Sequence, residues 1–106
     1  MSAREEAAMY VSILTGRVAK ENWVPLERSF EKEVTKRPPK GLMDSYLVQS
    51  EDDPASWQVV SIWATKAEFK DFEKTEQANV FVELLCDGGT VPNRLGYVTV
   101  GRYERV

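Results

Sequence analysis

The sequence predicts an α+β fold in which a four-stranded antiparallel sheet carries both helices on one face, in the order β-α-β-β-α-β. Three observations predict it. The run from Trp57 to Ala64 is aromatic and β-branched, as a buried pleated strand requires. That run passes with almost no loop into Thr65-x-x-Glu68, a capping box in which the hydroxyl accepts from the third helical amide and the Glu reaches back. Turn signals around it, among them Gly16, Arg37-Pro38-Pro39-Lys40-Gly41 and Asp52-Asp53-Pro54, cut the chain into segments of strand or helix length.

Taken in order, residues 1–8 are polar and read as a mobile N-terminal arm, leaving 9–106 as the folded domain. Met9 to Gly16 is the first strand, with Met9, Val11 and Ile13 on one face, Tyr10, Ser12 and Leu14 on the other, and Gly16 as its end. Asn22 is the expected N-cap of a helix running to Thr35. Its Pro25 sits in the first turn, where the missing N–H has no intrahelical partner to lose. Trp23, Leu26, Phe30 and Val34 recur at helical spacing among solvated charges. Leu42 to Ser50 is the second strand, joined through the acidic-proline turn to the third. After the capping box Phe69 and Phe72 form an apolar stripe. It changes phase at Thr75 before Val80, Phe81, Leu84 and Leu85 resume it, which predicts a bend or two short helices. Asp87-Gly88-Gly89 caps the end, Val91-Pro92-Asn93 connects, and Leu95 to Tyr103 is the last strand.

A sheet covered on one side alternates apolar with polar residues. The third strand does not, because Trp57, Val59 and Trp63 share one face while Val60, Ile62 and Ala64 share the other. No chain remains to cover that second face, so a second copy of the sheet is the expected cover.

Composition narrows the chemistry. At 106 residues, 42% hydrophobic and 29% charged, the chain reads as one soluble domain with a core of its own. No apolar run approaches the roughly 20 residues of a membrane helix, and the start Met1-Ser2-Ala3-Arg4-Glu5-Glu6 lacks a signal-peptide pattern. A net charge of −3 argues against nucleic acid as a partner. The single cysteine, Cys86, is expected to be a buried small hydrophobe in a reducing cytoplasm. With no histidine there is no Ser-His-Asp or Cys-His nucleophile, no haem on a proximal His, and no ordinary zinc site. Neither a metal nor a cofactor is expected. Asp44, Asp71, Glu73 and Glu83 are the available bases, and no feature of the sequence singles one out.

Other folds with this strand order leave signatures that are missing. An RNA-recognition motif carries basic residues beside exposed aromatics on its central strands, and Ser56 to Trp63 has none. Gly16-Arg17-Val18 is followed by Ala19-Lys20-Glu21-Asn22-Trp23, not by the glycines and Arg of an acylphosphatase loop.

The pattern Trp63-x-Thr65-x-x-Glu68-Phe69-x-x-Phe72-x-x-Thr75, behind Asp52-Asp53-Pro54, resembles the antibiotic-biosynthesis-monooxygenase family, thinly over about residues 8 to 104. The resemblance implies a ferredoxin-like domain that pairs into a homodimeric α+β barrel. It does not extend to the haem-degrading members. An ungapped overlay puts Phe72 at their helix Trp and Val82 at their iron-ligating His, and their first-strand Asn has no counterpart between Met9 and Gly16. The quinone- and anthrone-oxidising members imply a cofactor-independent monooxygenase acting on a small aromatic or quinol-like molecule. Such members usually add a His, Asn or Arg, which the sequence does not place. In that reading Trp63 and Phe72 are facing aromatic walls, Asn79 supplies a polar contact, and Tyr46 and Ser61 reach the same cavity. The alternative is a non-catalytic dimer of the same fold that binds a small ligand or serves as a structural partner, with Trp63 and Phe72 as plain core.

Overall fold

The computed structural model describes residues 8–36, 38–85, 92–103 and 105. The expected N-terminal arm, apart from Ala8, falls outside them, as do Cys86, the Asp87-Gly88-Gly89 cap and Val91. The elements are β1 (Tyr10–Arg17), α1 (Trp23–Lys36) after a single 3₁₀ turn (Lys20–Asn22), β2 (Leu42–Gln49), β3 (Ser56–Trp63), α2 (Lys66–Glu73), α3 (Glu76–Leu84) and β4 (Asn93–Val98). The strands form one antiparallel sheet in the order β2-β3-β1-β4. This is the ferredoxin-like arrangement the sequence predicts. No helix among the described residues is long and apolar enough to cross a membrane.

Alternation in the two central strands decides where the core lies. Tyr10, Ser12 and Leu14 of β1 and Trp57, Val59, Ser61 and Trp63 of β3 are buried on one face. On that face Leu14, Trp57 and Val59 pack with Leu26 and Phe30 of α1 and Phe81 of α3. A second cluster joins Tyr10 and Trp63 to Phe69 of α2. The other face keeps Val11, Ile13, Val60 and Ile62 half-buried, and leaves Tyr46, Val48, Leu95 and Tyr97 exposed.

The passage from β3 into α2 is tied on both sides. Thr65 Oγ1 accepts from the Glu68 N–H at 3.2 Å and donates to the Glu68 carboxylate at 3.1 Å. The carboxylate therefore closes the cap through the hydroxyl, where the sequence pattern predicts a bond to a backbone amide. The same carboxylate packs against Gly41, whose φ of +85° only glycine adopts without strain. The Gly41 carbonyl in turn accepts from the Ala64 N–H at 2.8 Å.

The phase change at Thr75 is a true helix break. Thr75 Oγ1 donates to the Phe72 carbonyl at 2.7 Å and accepts from the Ala78 N–H at 3.3 Å, so it ends one helix and caps the next. Three boundaries differ from expectation. Gly16 lies within β1 opposite Trp57, and its missing side chain admits the Leu85 backbone. Asn22 belongs to the 3₁₀ turn that runs straight into α1, with extended Ala19 at the N-cap position. The last strand stops at Val98, well short of Tyr103. Its pairing with β1 ends, among the described residues, where the Thr99 N–H donates to the Met9 carbonyl at 3.0 Å. Val100 and Tyr103 are accordingly exposed.

At the β2–β3 turn Arg17 donates to both Asp53 oxygens, at 2.6 and 3.4 Å, and these bonds hold the Asp53 carboxyl below the usual carboxylate range. A depressed folded pKa contributes stability above the ordinary carboxylate pKa and loses it as pH falls through the folded value. Both side chains are solvent-exposed, so the effect is small. Arg17→Ala is expected to lower the melting temperature slightly at pH 7, with the difference from wild type vanishing in strong acid. A melting series from pH 7 to pH 2 checks it, and a difference that grows with acid contradicts the assignment.

Candidate functional site

The helix face of the sheet holds an unusual polar row. Ser12 of β1 stands opposite Ser61 of β3, which stands opposite Ser45 of β2. Side chains in register on adjacent strands are close neighbours, and here three hydroxyls cross an otherwise apolar surface. Trp63 Nε1 donates to Ser12 Oγ at 3.0 Å, and the Ser45 and Ser61 hydroxyls share a hydrogen bond at 2.9 Å.

Above this row is a cavity of about 30 Å³, room for a water or two, roofed by Phe69, Phe72 and Phe81 and bounded by Trp63, Leu42 and Arg94. Arg94 is its one charged neighbour among the described residues. The guanidinium pairs with Glu73 at 3.3 Å and lies 5.7 Å from the centre of the Phe69 ring, within cation–π range. A larger groove of about 330 Å³ lies outside, between Pro38-Pro39-Lys40 and α2. Pro39 and Phe72 border both spaces, so they form the partition between them.

Three of the five predicted site residues meet at this cavity: Trp63, Phe72 and Ser61. The two rings do not face each other across a slot. Their centroids are 5.0 Å apart, in direct contact, with Trp63 almost fully buried. Tyr46 does not reach the cavity. It pairs with Val60 on the opposite face and is 54% exposed. Counting by twos from Leu42 turns Tyr46 inward, but a β-bulge at Met43 adds one residue and turns Ser45 inward instead. Asn79 is also away from it. In an unbroken helix Asn79 lies two turns beyond Phe72 on the same face; the break at Thr75 rotates α3 so that Ala78 and Phe81 face inward and Asn79 is exposed.

Of the four carboxylates named as bases, none lines the inner cavity. Asp44 and Glu83 are exposed elsewhere, Asp71 borders the outer groove, and Glu73 holds Arg94. Sequence reasoning missed Ser12, Ser45 and Arg94. Ser12 carried a signal, being a serine in the inward phase between Tyr10 and Leu14. Arg94 carried none, because it lies before the point where the last strand was expected to begin.

A two-layer α+β domain with an aromatic-roofed cavity between sheet and helices defines a small ferredoxin-like protein. The sequence profile of the family described as antibiotic biosynthesis monooxygenase matches residues 9–84, and the chain belongs to that family. No curated protein matches the sequence significantly. Solved structures share the fold at low identity. A candidate antibiotic biosynthesis monooxygenase from Bordetella bronchiseptica is 17% identical with a TM-score of 0.72, over 88% of this chain and 98% of that one. Another candidate, from Caulobacter crescentus, is 15% identical with a TM-score of 0.72, over 92% and 94%. A conserved protein from Methanosarcina mazei is 11% identical with a TM-score of 0.72, over 86% and 92%.

Because Phe72 closes the cavity against Trp63, it contributes to stability as packing. Phe72→Ala is expected to cost about 3 kcal/mol, the low end for a Phe truncation since the ring is only half-buried. Urea unfolding measures it, and a cost under about 1 kcal/mol contradicts the packing described.

Proposed function

We propose that this protein is a cofactor-independent monooxygenase that oxidises a small, flat, electron-rich aromatic such as a phenol, hydroquinone or anthrone, and that it works as a homodimer. The cavity beside Trp63 carries the reading: it is aromatic on one side and lined by hydroxyls and one guanidinium on the other. The space admits a flat ring once Phe72 moves toward the outer groove. The ring then lies against the aromatic side, and the polar side stabilises negative charge on a ring oxygen. In the reaction the substrate loses a proton, and its anion passes an electron to O₂. The two radicals combine, one oxygen atom becomes a carbonyl on the ring, and the other leaves as water with two hydrogens. The substrate supplies all the electrons. The protein holds the ring, excludes water and stabilises the anion.

The outer sheet face supports the dimer. Tyr46, Val48, Leu95 and Tyr97 are exposed there beside half-buried Val11, Ile13, Val60 and Ile62, an apolar grouping of the kind that marks an interaction surface. Two copies sharing this face are expected to bury at least about 1,200 Å² in total. Light scattering at micromolar concentration is expected to give twice the chain mass, with Val60→Lys shifting it toward the monomer. A monomeric wild type contradicts the dimer.

The direct contact of Trp63 with Phe72 favours a second reading, a non-catalytic dimer of the same fold that binds a small ligand or serves as a structural partner, with both rings as core. Oxygen uptake separates the two. With 1-naphthol, methylhydroquinone and anthrone, the first reading expects consumption above the uncatalysed rate for at least one compound, reduced at least tenfold in Trp63→Ala. Uptake at the uncatalysed rate with all three leaves the second.

A further inference from the structure

The polar row of the cavity carries hydroxyl protons that no described residue accepts. Each serine has one proton to donate and lone pairs to accept. Ser12 Oγ already accepts from the Trp63 indole, and its own proton has no acceptor among the described residues. Ser45 and Ser61 share one bond, which consumes one of their two protons whichever of them donates. The pair therefore holds one O–H with no partner. Arg94, the remaining polar neighbour, can only donate. The polar side of the cavity thus offers free donors, with no carboxylate among its described neighbours to receive them.

We propose that the Ser45–Ser61 pair is a recognition element, which orients a flat ligand by hydrogen-bonding an acceptor oxygen on its ring, a carbonyl or a phenolate. The assignment rests on the ligand-binding reading of the cavity given above. The pair suits the role better than Ser12 for two reasons. Ser12 is buried and committed to Trp63, whereas Ser45 is only half-buried. Ser45 also belongs to β2, the strand that the Pro38–Gly41 turn leads into, and shares the cavity wall with Pro39, which borders the outer groove. A ligand coming from that groove displaces Phe72 from Pro39 and meets the pair with its leading oxygen. Because either serine can keep the donor proton, one hydroxyl suffices.

The test uses two rings that differ in one carbonyl, 1-indanone and indane, neither of which traps thiols. Affinities for the full chain are measured by ligand-observed NMR, and the ratio of the two dissociation constants isolates the oxygen. That ratio is expected to fall about five- to tenfold in Ser45→Ala/Ser61→Ala, the worth of one hydrogen bond. It is expected to stay within twofold of wild type in either single variant. Removing both partners together leaves no orphaned group, so the double variant is expected to fold. Infrared difference spectra of 1-indanone on the wild type give a measurement that needs no variant: the bound carbonyl stretch is expected below its frequency in hexane. A ratio unchanged in the double variant, or an unshifted carbonyl band, overturns the role of the serines while leaving the cavity reading intact. Failure of both rings to bind the wild type overturns both.

Discussion

The short connection between β3 and α2 constrains the rest of this structure. One residue, Ala64, separates the end of the strand from a helix cap, so the direction of α2 is set by the strand before it. Glu68 is the hinge of this arrangement. Its carboxylate closes the cap on Thr65 and occupies the space beside Gly41 that any side chain there would fill. The Ala64 amide meanwhile binds the Gly41 carbonyl. The start of β2, the end of β3 and the first turn of α2 thus form one locked unit. Trp63 is its last strand residue, which is why the indole reaches Ser12 on one side and Phe69 and Phe72 on the other.

Much of the architecture was legible because it rests on local signals that do not compete. The capping box, the acidic-proline turn and the two periodicities each specify one element, and together they leave few topologies. The site was less legible, for a reason of arithmetic. A side chain's face depends on counting residues from a known point, and the count fails where the chain gains or loses a step. Met43 adds a step in β2, and Tyr46 changes face. Thr75 restarts a helix, and Asn79 changes face. The bulge leaves no mark in the hydrophobic pattern, and the phase change at Thr75 shows that the helix breaks without fixing how far the next one is rotated. Trp63, Phe72 and Ser61 escaped the problem because they lie within a few residues of the capping box and no irregularity intervenes.

Membership of the family accounts for the fold, while the chemistry proposed for the cavity rests on its polar lining. The chain lacks histidine altogether, so its means of handling a negative charge on a bound ring are hydroxyls and a guanidinium. Arg94 is well placed for that work because Glu73 and the Phe69 face hold it in one position. The cost of that support is that Glu73 is already committed to an ion pair. In the proposed reaction, proton removal falls to solvent or to the acidity of the substrate itself, which favours molecules that ionise readily.

The bulge at Met43 has a second consequence, for the sheet's behaviour toward other chains. β2 is an edge strand, and a flat edge with free amides and carbonyls is a template on which another strand can add. The extra residue breaks the regular spacing of those groups, twists the strand locally, and sets a charged Asp44 beside the break. The single inserted methionine that decides which face Tyr46 takes is therefore also a guard on the sheet's margin. It discourages open-ended strand addition in a protein whose apolar sheet face already invites company.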